Sequence, residues 1–254
     1  MTPGRLEDLA RGLGDAWARA VTVAAPTTVE PSLTTLDAYA IQDLIIQGRI
    51  GTGRKIAGWK LGLTSSDPPQ TPIVGTLLDD MVVGSGTELS LATMVKPMVE
   101  AECVVKIGET IGKPVSVDDL LAGPHLLGPG IEVIDYRTVD SKGSIDWIAD
   151  NSTVAYAVVG DLTPVSDVDA AAVEVSLASD DTELANGRGS KVMGNPLAAV
   201  AWLSGHLSGR GRSLAKDDVV LTGSLTGHHL VTGAETEYHA DFGELGRVSV
   251  RFTS

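Results

Sequence analysis

Only one cysteine, Cys103, occurs in the chain, which excludes an intrachain disulfide and a zinc cluster built on thiolates. Long apolar runs are missing as well. No stretch of about 18 uncharged apolar residues occurs, and the opening segment MTPGRLEDLARGLGDAWARA carries charges throughout, so neither a membrane-spanning helix nor a secretory leader is expected. Basic residues are scarce: 19 Lys and Arg face 33 Asp and Glu, for a formal net charge of −14. Such a surface repels phosphate backbones and anionic bilayers, which argues against nucleic acids and membranes as partners and leaves small molecules, metals and other subunits. Internal repeats, low-complexity tracts and charged tails are also absent. The expectation is a soluble cytoplasmic chain with one large domain, or a main domain and a small appendage.

What is present falls into two textures. Leu6, Leu9, Leu13, Trp17 and Ala20 recur at helical spacing and predict an amphipathic helix that stops before Pro26. Thr34, with Asp37 three residues on, reads as a capping box opening a second helix, TTLDAYAIQDLIIQ, closed by Gly48 and Gly51. From Lys55 onward, glycine-punctuated alternating runs such as KIAGWKLGLTS, VEAECVVKIG, GIEVIDYR and TVAYAVVG read as strands. Residues 1–54 are therefore expected to form a helical N-terminal region and residues 55–254 a strand-rich body, an α+β chain. One long helix, NPLAAVAWLSGHLSGRG, interrupts that body, with Asn195 as its cap and Pro196 in its first position. After it, DDVVLTGSLTG, HHLVTG, TEYHADFGELG and RVSVRFTS read as consecutive antiparallel strands, with Tyr238, Ala240 and Phe242 pointing inward.

Several familiar chemistries find no support. Ser224 directly follows Gly223 in TGSLTG, so the nucleophile elbow of serine hydrolases is missing. The glycines of GRIGTGRK and GETIGKP match neither nucleotide-binding spacing. His228 and His229 would point to opposite faces of a strand, His206 sits in the long helix and His239 alternates with Asp241, which makes them surface or rim residues instead of a shared metal site.

One stretch conflicts with a simple core strand. In KPMVEAECVVKIG, Val99, Ala101, Cys103, Val105 and Ile107 share one face, while Glu100, Glu102 and Val104 share the other. Cys103 reads as a core thiol. Two neighbouring carboxylates on a covered face repel each other and lose hydration, so that face is either wet or holds a cation. Glu132, flanked by apolar residues in GPGIEVIDYR, supplies a third acid. Together Glu100, Glu102 and Glu132 suit a hard divalent ion such as Mg²⁺ or Mn²⁺, against the blander alternative of a solvated strand face. In AGWKLGLTSS, Trp59, Leu61 and Leu63 take the packed face and Gly58, Lys60 and Gly62 the opposite one. Lys60 between two glycines is placed to bind an anion or exchange protons, unless it simply snorkels to the surface.

DAYAIQ, GWKLGLTSS, VGTLLDDMVV, KPMVEAECVV, GIEVIDYR, IADNS, NPLAAVAWL, VLTGSLTG and YHADFGELGRVSVRF occur in this order. The series resembles, nearly end to end, the 2-hydroxypenta-2,4-dienoate hydratases and 4-oxalocrotonate decarboxylases of the fumarylacetoacetate hydrolase superfamily. The resemblance implies a mixed β-roll or sandwich with the helical N-terminal region packed against it, assembled as a homo-oligomer. It implies a divalent ion, Mg²⁺ or Mn²⁺, held by Glu100, Glu102 and Glu132, and Lys60 in proton transfer. Candidate substrate contacts come from Leu63, Thr64 and Ser65 and from Ser224 and Thr226, with Asp79 as a further candidate for orienting water or the lysine. The implied reaction is metal-dependent hydration of a 2-hydroxy-2,4-dienoate, or 2-oxo-enoate, to a 4-hydroxy-2-oxo acid during catabolism of ring-cleavage products. GTLLDDMVV and YHADFGELG side with hydration; TPIVG sides with the alternative, loss of CO₂ from a 4-oxalocrotonate-type acid. A noncatalytic scaffold or keto-acid-binding subunit is the third expectation. It is motivated by departures from the pattern: Tyr136 within Asp135–Arg137, Asn195 before Pro196, SDPPQT after Ser65, and His228 and His229 after TGSLTG.

Overall fold

In the computed structural model, which describes residues 1–65 and 69–254, both early helices form where apolar spacing predicts them. Helix α1 (Pro3–Arg19) turns Ala10, Leu13 and Ala16 inward. Helix α2 (Thr35–Gly51) starts at the Thr34–Asp37 capping box, which satisfies amides that a helix start leaves without partners. It runs through Gly48 and ends at Gly51, because burial of Ile45 and Ile46 outweighs the cost of one interior glycine, about 1 kcal/mol. The Trp17 ring lies between the guanidinium groups of Arg49 and Arg137, at 4.4 and 4.6 Å, and so ties α1 to α2 and to the sheet. Among the described residues no helix is long and apolar enough to cross a membrane.

The strand-rich body follows in the order β1 (Ile56–Gly62), β2 (Ile73–Leu78), β3 (Val82–Gly84), β4 (Thr87–Ser90), β5 (Pro97–Lys106), α3 (Val117–Ala122), β6 (Leu126–Asp135), α4 (Ser144–Ala149) and β7 (Val154–Val159). It continues with β8 (Glu174–Ser179), β9 (Thr182–Arg188), α5 (Pro196–Ser208), β10 (Val219–Ser224), β11 (His229–Leu230), β12 (Thr236–Asp241) and β13 (Arg247–Thr253). Helix α5 begins as expected, Asn195 accepting from the Leu197 amide with Pro196 in the first turn. Helices α3 and α4 were not anticipated. At six residues each they are too short to show a helical period.

One sheet runs β2-β1-β10-β5-β6-β7-β3, with β11 pairing β5, and a second runs β9-β8-β12-β13-β4. The tail is therefore not a simple meander. Strands β12 and β13 form the expected hairpin, with Tyr238, Ala240 and Phe242 buried, but β10 lies in the first sheet, parallel to β1 and antiparallel to β5. Its residues Val219 to Gly223 are buried without alternation, as in a strand covered on both faces.

Both faces of the first sheet are covered. Val99, Ala101, Cys103, Val105 and Ile107 join Trp59, Leu61, Tyr238, Phe252 and helix α5 in the main core between the sheets. On the opposite face Val104, Val219, Leu221, Leu77, Leu78 and Ala157 form a smaller core with Ile46 of α2. Strands β2 and β7 lie far apart in the strand order yet both feed this smaller core, so the sheet curls around it. Glu100 and Glu102, sharing a face with Val104, point into the curl.

Strand β2 is an edge, and side chains complete it. Asn151 accepts from the Thr76 amide at 2.8 Å and donates to the Thr76 carbonyl at 2.9 Å, and the Ser152 hydroxyl donates to the Val74 carbonyl at 2.9 Å. This contact holds Asn151, Ser152 and Thr153 at φ of 49°, 51° and 61°, a region costly for residues other than glycine. Replacing Asn151 with alanine removes both bonds and the residue type most tolerant of that φ. Asn151→Ala should therefore lower stability by about 1–3 kcal/mol, measured as a fall in Tm; an unchanged Tm would show that the edge is held by other means.

Candidate active site

Strand pairing brings the chemistry together. Glu100 lies directly opposite Glu132 and Glu102 opposite Gly130, while Ser224 lies opposite Glu102 on the other flank. Lys60 pairs with Leu221 on one side and Gly75 on the other. Carboxylate oxygens of Glu100, Glu102 and Glu132 come within 4.8 Å of one another. Glu102 and Glu132 are fully buried, whereas Glu100 retains 13 % of its side-chain exposure and marks the open side. Lys60 is buried too, its Nζ 3.1 Å from Glu132 Oε1.

The neighbouring glycines have different tasks. A Cβ at Gly75 would come 2.7 Å from the Asn151 carbonyl oxygen and 3.0 Å from Lys60 Cγ, so its absence admits the lysine stem. A Cβ at Gly62 would meet the Ile73 side chain at 2.9 Å and sit 3.8 Å from Lys60 Nζ, so this glycine accommodates Ile73 of the neighbouring strand. Gly58 does not line a ligand space: a Cβ there would meet the Val219 carbonyl oxygen at 1.9 Å. Close approach of β1 to β10 accounts for it.

The carboxylates are under-satisfied. Glu102 Oε2 accepts the Gly223 amide at 2.7 Å and Glu132 Oε1 has the Lys60 ammonium at 3.1 Å, but Glu102 Oε1 and Glu132 Oε2 are buried without a hydrogen-bond partner. Burial, followed by the charges of Glu132 and Glu100, pushes Glu102 well above the usual carboxylate range. Burial raises Glu132 to about 7 against the opposing pull of Lys60. For Lys60 burial works to lower the pKa, yet Glu132, Glu100 and Glu102 outweigh it and hold the ammonium above the ordinary lysine value. When ionised, three carboxylates and one ammonium leave two negative charges, the charge of one divalent ion. An all-oxygen donor set with open lone pairs fits a hard cation such as Mg²⁺ or Mn²⁺.

The turn after β10 closes one side of this site. Gly223 has φ +115, and a Cβ there would strike Thr64 Oγ1 at 1.7 Å; the Thr64 hydroxyl donates to the Thr222 carbonyl at 3.0 Å. Leu63, at φ +63, opens the turn that carries Thr64 and half-buried Ser65. Ser224 Oγ accepts from the Gly227 amide at 2.8 Å and its own proton has no acceptor among the described residues. Thr226 Oγ1 accepts from the Ala101 amide at 3.1 Å and fastens the turn to β5. Of the departing loop after Ser65, residues 66–68 lie outside the described residues.

Asp79 does not join the site. It is exposed at the end of β2, where its carboxylate accepts the Lys55 amide at 3.2 Å and closes a turn. Cys103 is fully buried, its thiol pushed up to about 12 by burial and by Glu102, consistent with a core role. His228 is a rim residue, its Nδ1 4.0 Å from Glu100 Oε1, while His229 pairs with Val99. His206 departs from the expected surface position, packing half-buried against Trp202 and Tyr39. The support of β2 by Asn151 and Ser152 was not foreseen; IADNS was the only sequence signal. Asp135 and Arg137 are structural, Asp135 accepting the Val95 and Lys96 amides and Arg137 pairing with buried Asp150 at 2.8 Å.

The fumarylacetoacetate (FAA) hydrolase C-terminal family model matches residues 54–252. A 2-keto-4-pentenoate hydratase of Paraburkholderia xenovorans is 32% identical over 238 residues, covering 89% of this chain and 87% of the relative. A 4-oxalocrotonate decarboxylase of Pseudomonas putida is 32% identical over 230 residues, 87% of each chain. The solved structure of 4-oxalocrotonate decarboxylase from Pseudomonas putida G7, complexed with magnesium and adipate, superposes with a TM-score of 0.93 at 28% identity over 99% of this chain and 98% of that one.

The buried carboxyls generate a pH prediction for metal-free protein. Glu102 and Glu132 keep their protons to higher pH in the fold than in the unfolded chain. The native state therefore binds more protons, and this site's contribution to stability falls as pH rises from about 4.5 toward about 7. Relative to a Glu102→Gln/Glu132→Gln double variant, the native protein should lose Tm between pH 5 and pH 8 and regain it at pH 8 when Mg²⁺ or Mn²⁺ is added. Parallel pH profiles for both proteins, with no effect of either ion, would refute this.

Proposed function

Because the chain belongs to the fumarylacetoacetate hydrolase family, we propose that it is a divalent-metal-dependent hydratase. It adds water to a 2-hydroxy-2,4-dienoate, in its 2-oxo-enoate form, and yields a 4-hydroxy-2-oxo acid. The observation that carries this assignment is the buried trio of Glu100, Glu102 and Glu132, with oxygens left open, beside a buried lysine. Glu100, Glu102 and Glu132 would hold Mg²⁺ or Mn²⁺, which supplies Lewis-acid polarisation of a 2-oxo acid when bound.

The chain's own groups do the rest. Ketonisation moves the C2 hydroxyl proton to C5, and Lys60, charged at rest, is placed to give one proton and take the other. Hydration then bonds the water oxygen to C4 and one water proton to C3. The Gly223 amide fixes the Glu102 carboxylate from behind, and the unused Ser224 O–H is available to a substrate carboxylate. Residues 55–254 are assigned as the catalytic domain and residues 1–54 as its helical N-terminal region. Cytoplasmic action, supported by the lone buried thiol of Cys103, and homo-oligomeric assembly belong to the same proposal.

Decarboxylation of a 4-oxalocrotonate-type acid is the second assignment, favoured by a decarboxylase relative as similar as the hydratase one. A noncatalytic scaffold is disfavoured, since unpartnered buried carboxylates destabilise a fold and serve no packing purpose. Incubation of each acid with protein and Mg²⁺, followed by mass spectrometry, separates the reactions: products should gain one water. Loss of CO₂ establishes decarboxylation, and unchanged masses refute both. Lys60→Met should lower kcat by roughly 10²–10⁴-fold while Mn²⁺ still binds in calorimetry; native-like kcat would remove Lys60 from proton transfer.

A further inference from the structure

The helical N-terminal region carries a groove in which the glutamate site has no part. About 830 Å³ in volume, it runs along α1 and α2 past Ala10, Gly14, Leu44, Ile45 and Gly48 and reaches Trp17 and Tyr156. Gly14 and Gly48 stand inside their helices, where glycine weakens a helix relative to alanine. Among the described residues nothing lies within 4 Å of a Cβ built at either position, so close packing within the chain does not require them. What their missing side chains leave is the space of the groove. Trp17, Arg49, Thr93 and Tyr156 also line a second space of about 50 Å³, which is therefore the inner end of the first.

Two buried polar atoms of residues lining this inner end are left open by the fold. Arg137 is fully buried; its Nε donates to Asp150 Oδ1 at 2.8 Å and its Nη2 to the Asp150 carbonyl at 3.1 Å, yet Nη1 has no acceptor among the described residues. Asp80 Oδ2 meets Arg49 at 2.5 Å and Arg54 at 3.2 Å, yet Oδ1 is buried with no donor among the described residues. Arg137 and Asp80 line the same small space, so one group placed there must both accept and donate to satisfy them. A hydroxyl does both. A carboxylate only accepts and an ammonium only donates, so either would leave one atom open. Along the groove Glu7 and Asp15 balance Arg11 and Arg19, and no surplus charge selects an ion. Trp17 and Tyr156, shared by both spaces, suit an aromatic ring.

We propose that the groove is a binding site for an uncharged, apolar molecule that ends in a phenolic hydroxyl. The hydroxyl accepts from Arg137 Nη1 and donates to Asp80 Oδ1, the ring meets Trp17 and Tyr156, and the apolar remainder lies along Gly14 and Gly48. Neither the glutamate trio nor Lys60 lines this groove. The site is therefore a second one, and it stands independently of the 2-oxo acid chemistry proposed above. Its walls come from α1, α2 and the strand-rich body together, so an occupant stabilises the seating of the N-terminal region on that body.

Calorimetry in EDTA, which keeps the trio free of metal, tests this with 4-ethylphenol, 4-ethylanisole and ethylbenzene. The three share a ring and an ethyl group; the anisole accepts but cannot donate, and ethylbenzene does neither. The native protein should bind the phenol about tenfold more tightly than either, or better, the effect of hydrogen bonds to charged groups. Gly14→Leu and Gly48→Leu put a side chain into the groove at helical positions with room for a Cβ. Both variants should fold, with a Tm no lower than native, and each should weaken phenol binding about tenfold or more. Equal binding of the three compounds by native protein, or native phenol affinity in both variants, overturns the proposal. Binding of none shows that the inner end holds water only, and overturns it too. So does a change of subunit number in either variant by sedimentation, which would make the groove a contact between copies of the chain.

Discussion

Burying three like charges around one lysine is the constraint to which the rest of the first sheet conforms. Two carboxylates at about 4 Å repel by roughly 4 kcal/mol at the effective dielectric of a protein site, and each also loses its hydration. The fold confines that cost to two adjacent rows, Glu100 with Glu132 and Glu102 opposite Gly130, between the small core that includes Val104 and Leu221 and the open side at Glu100. It offsets part of the cost with Lys60 and with the Gly223 amide. What remains, buried oxygens without partners and, once the carboxyls are ionised, two surplus negative charges, is the property that suits the site to a cation.

Bringing those groups together demands unusual backbone elsewhere. Gly58 lets β10 approach β1, Gly75 admits the lysine stem and Gly223 interlocks with Thr64. Behind Lys60, three consecutive residues in left-handed conformations carry the side chains that complete the edge strand. Backbone strain and open carboxylates thus lie on opposite sides of the same lysine. A site whose ligands come from separate strands is positioned only as well as the strands themselves, which explains why so many small residues and side-chain-to-backbone bonds gather here.

In the proposed reaction the trio and its cation would meet the oxygens common to all 2-oxo acids. Hydratase and decarboxylase relatives are equally similar to this chain, at 32% identity, so the likeness does not choose between the two reactions. At the open side of the trio stands His228, its Nδ1 4.0 Å from Glu100 Oε1.

Much of this was legible in the residue order, and the failures are instructive. Alternation in KPMVEAECVVKIG assigned Cys103 and Glu102 to opposite faces correctly, and Thr34 with Asp37 located a helix start, because both depend on neighbours a few residues away. Asp79 was a further, weaker candidate for the site, and it closes a surface turn at the end of its strand. Gly58 and Gly62 looked equivalent around Lys60, but only the pairing of β1 with β10 reveals that Gly58 faces a backbone. Nor could any local pattern place β10 in the first sheet instead of beside β12.

By itself, the sequence determined which side chains share a face, where helices begin and which residues could bear charge, since periodicity and capping act through adjacent turns of chain. Tertiary structure alone decided that Glu132 stands opposite Glu100 and that Lys60 reaches Glu132. Those relations depend on hydrogen-bond register between distant segments, and a slip of one residue would turn every one of these groups to the other face.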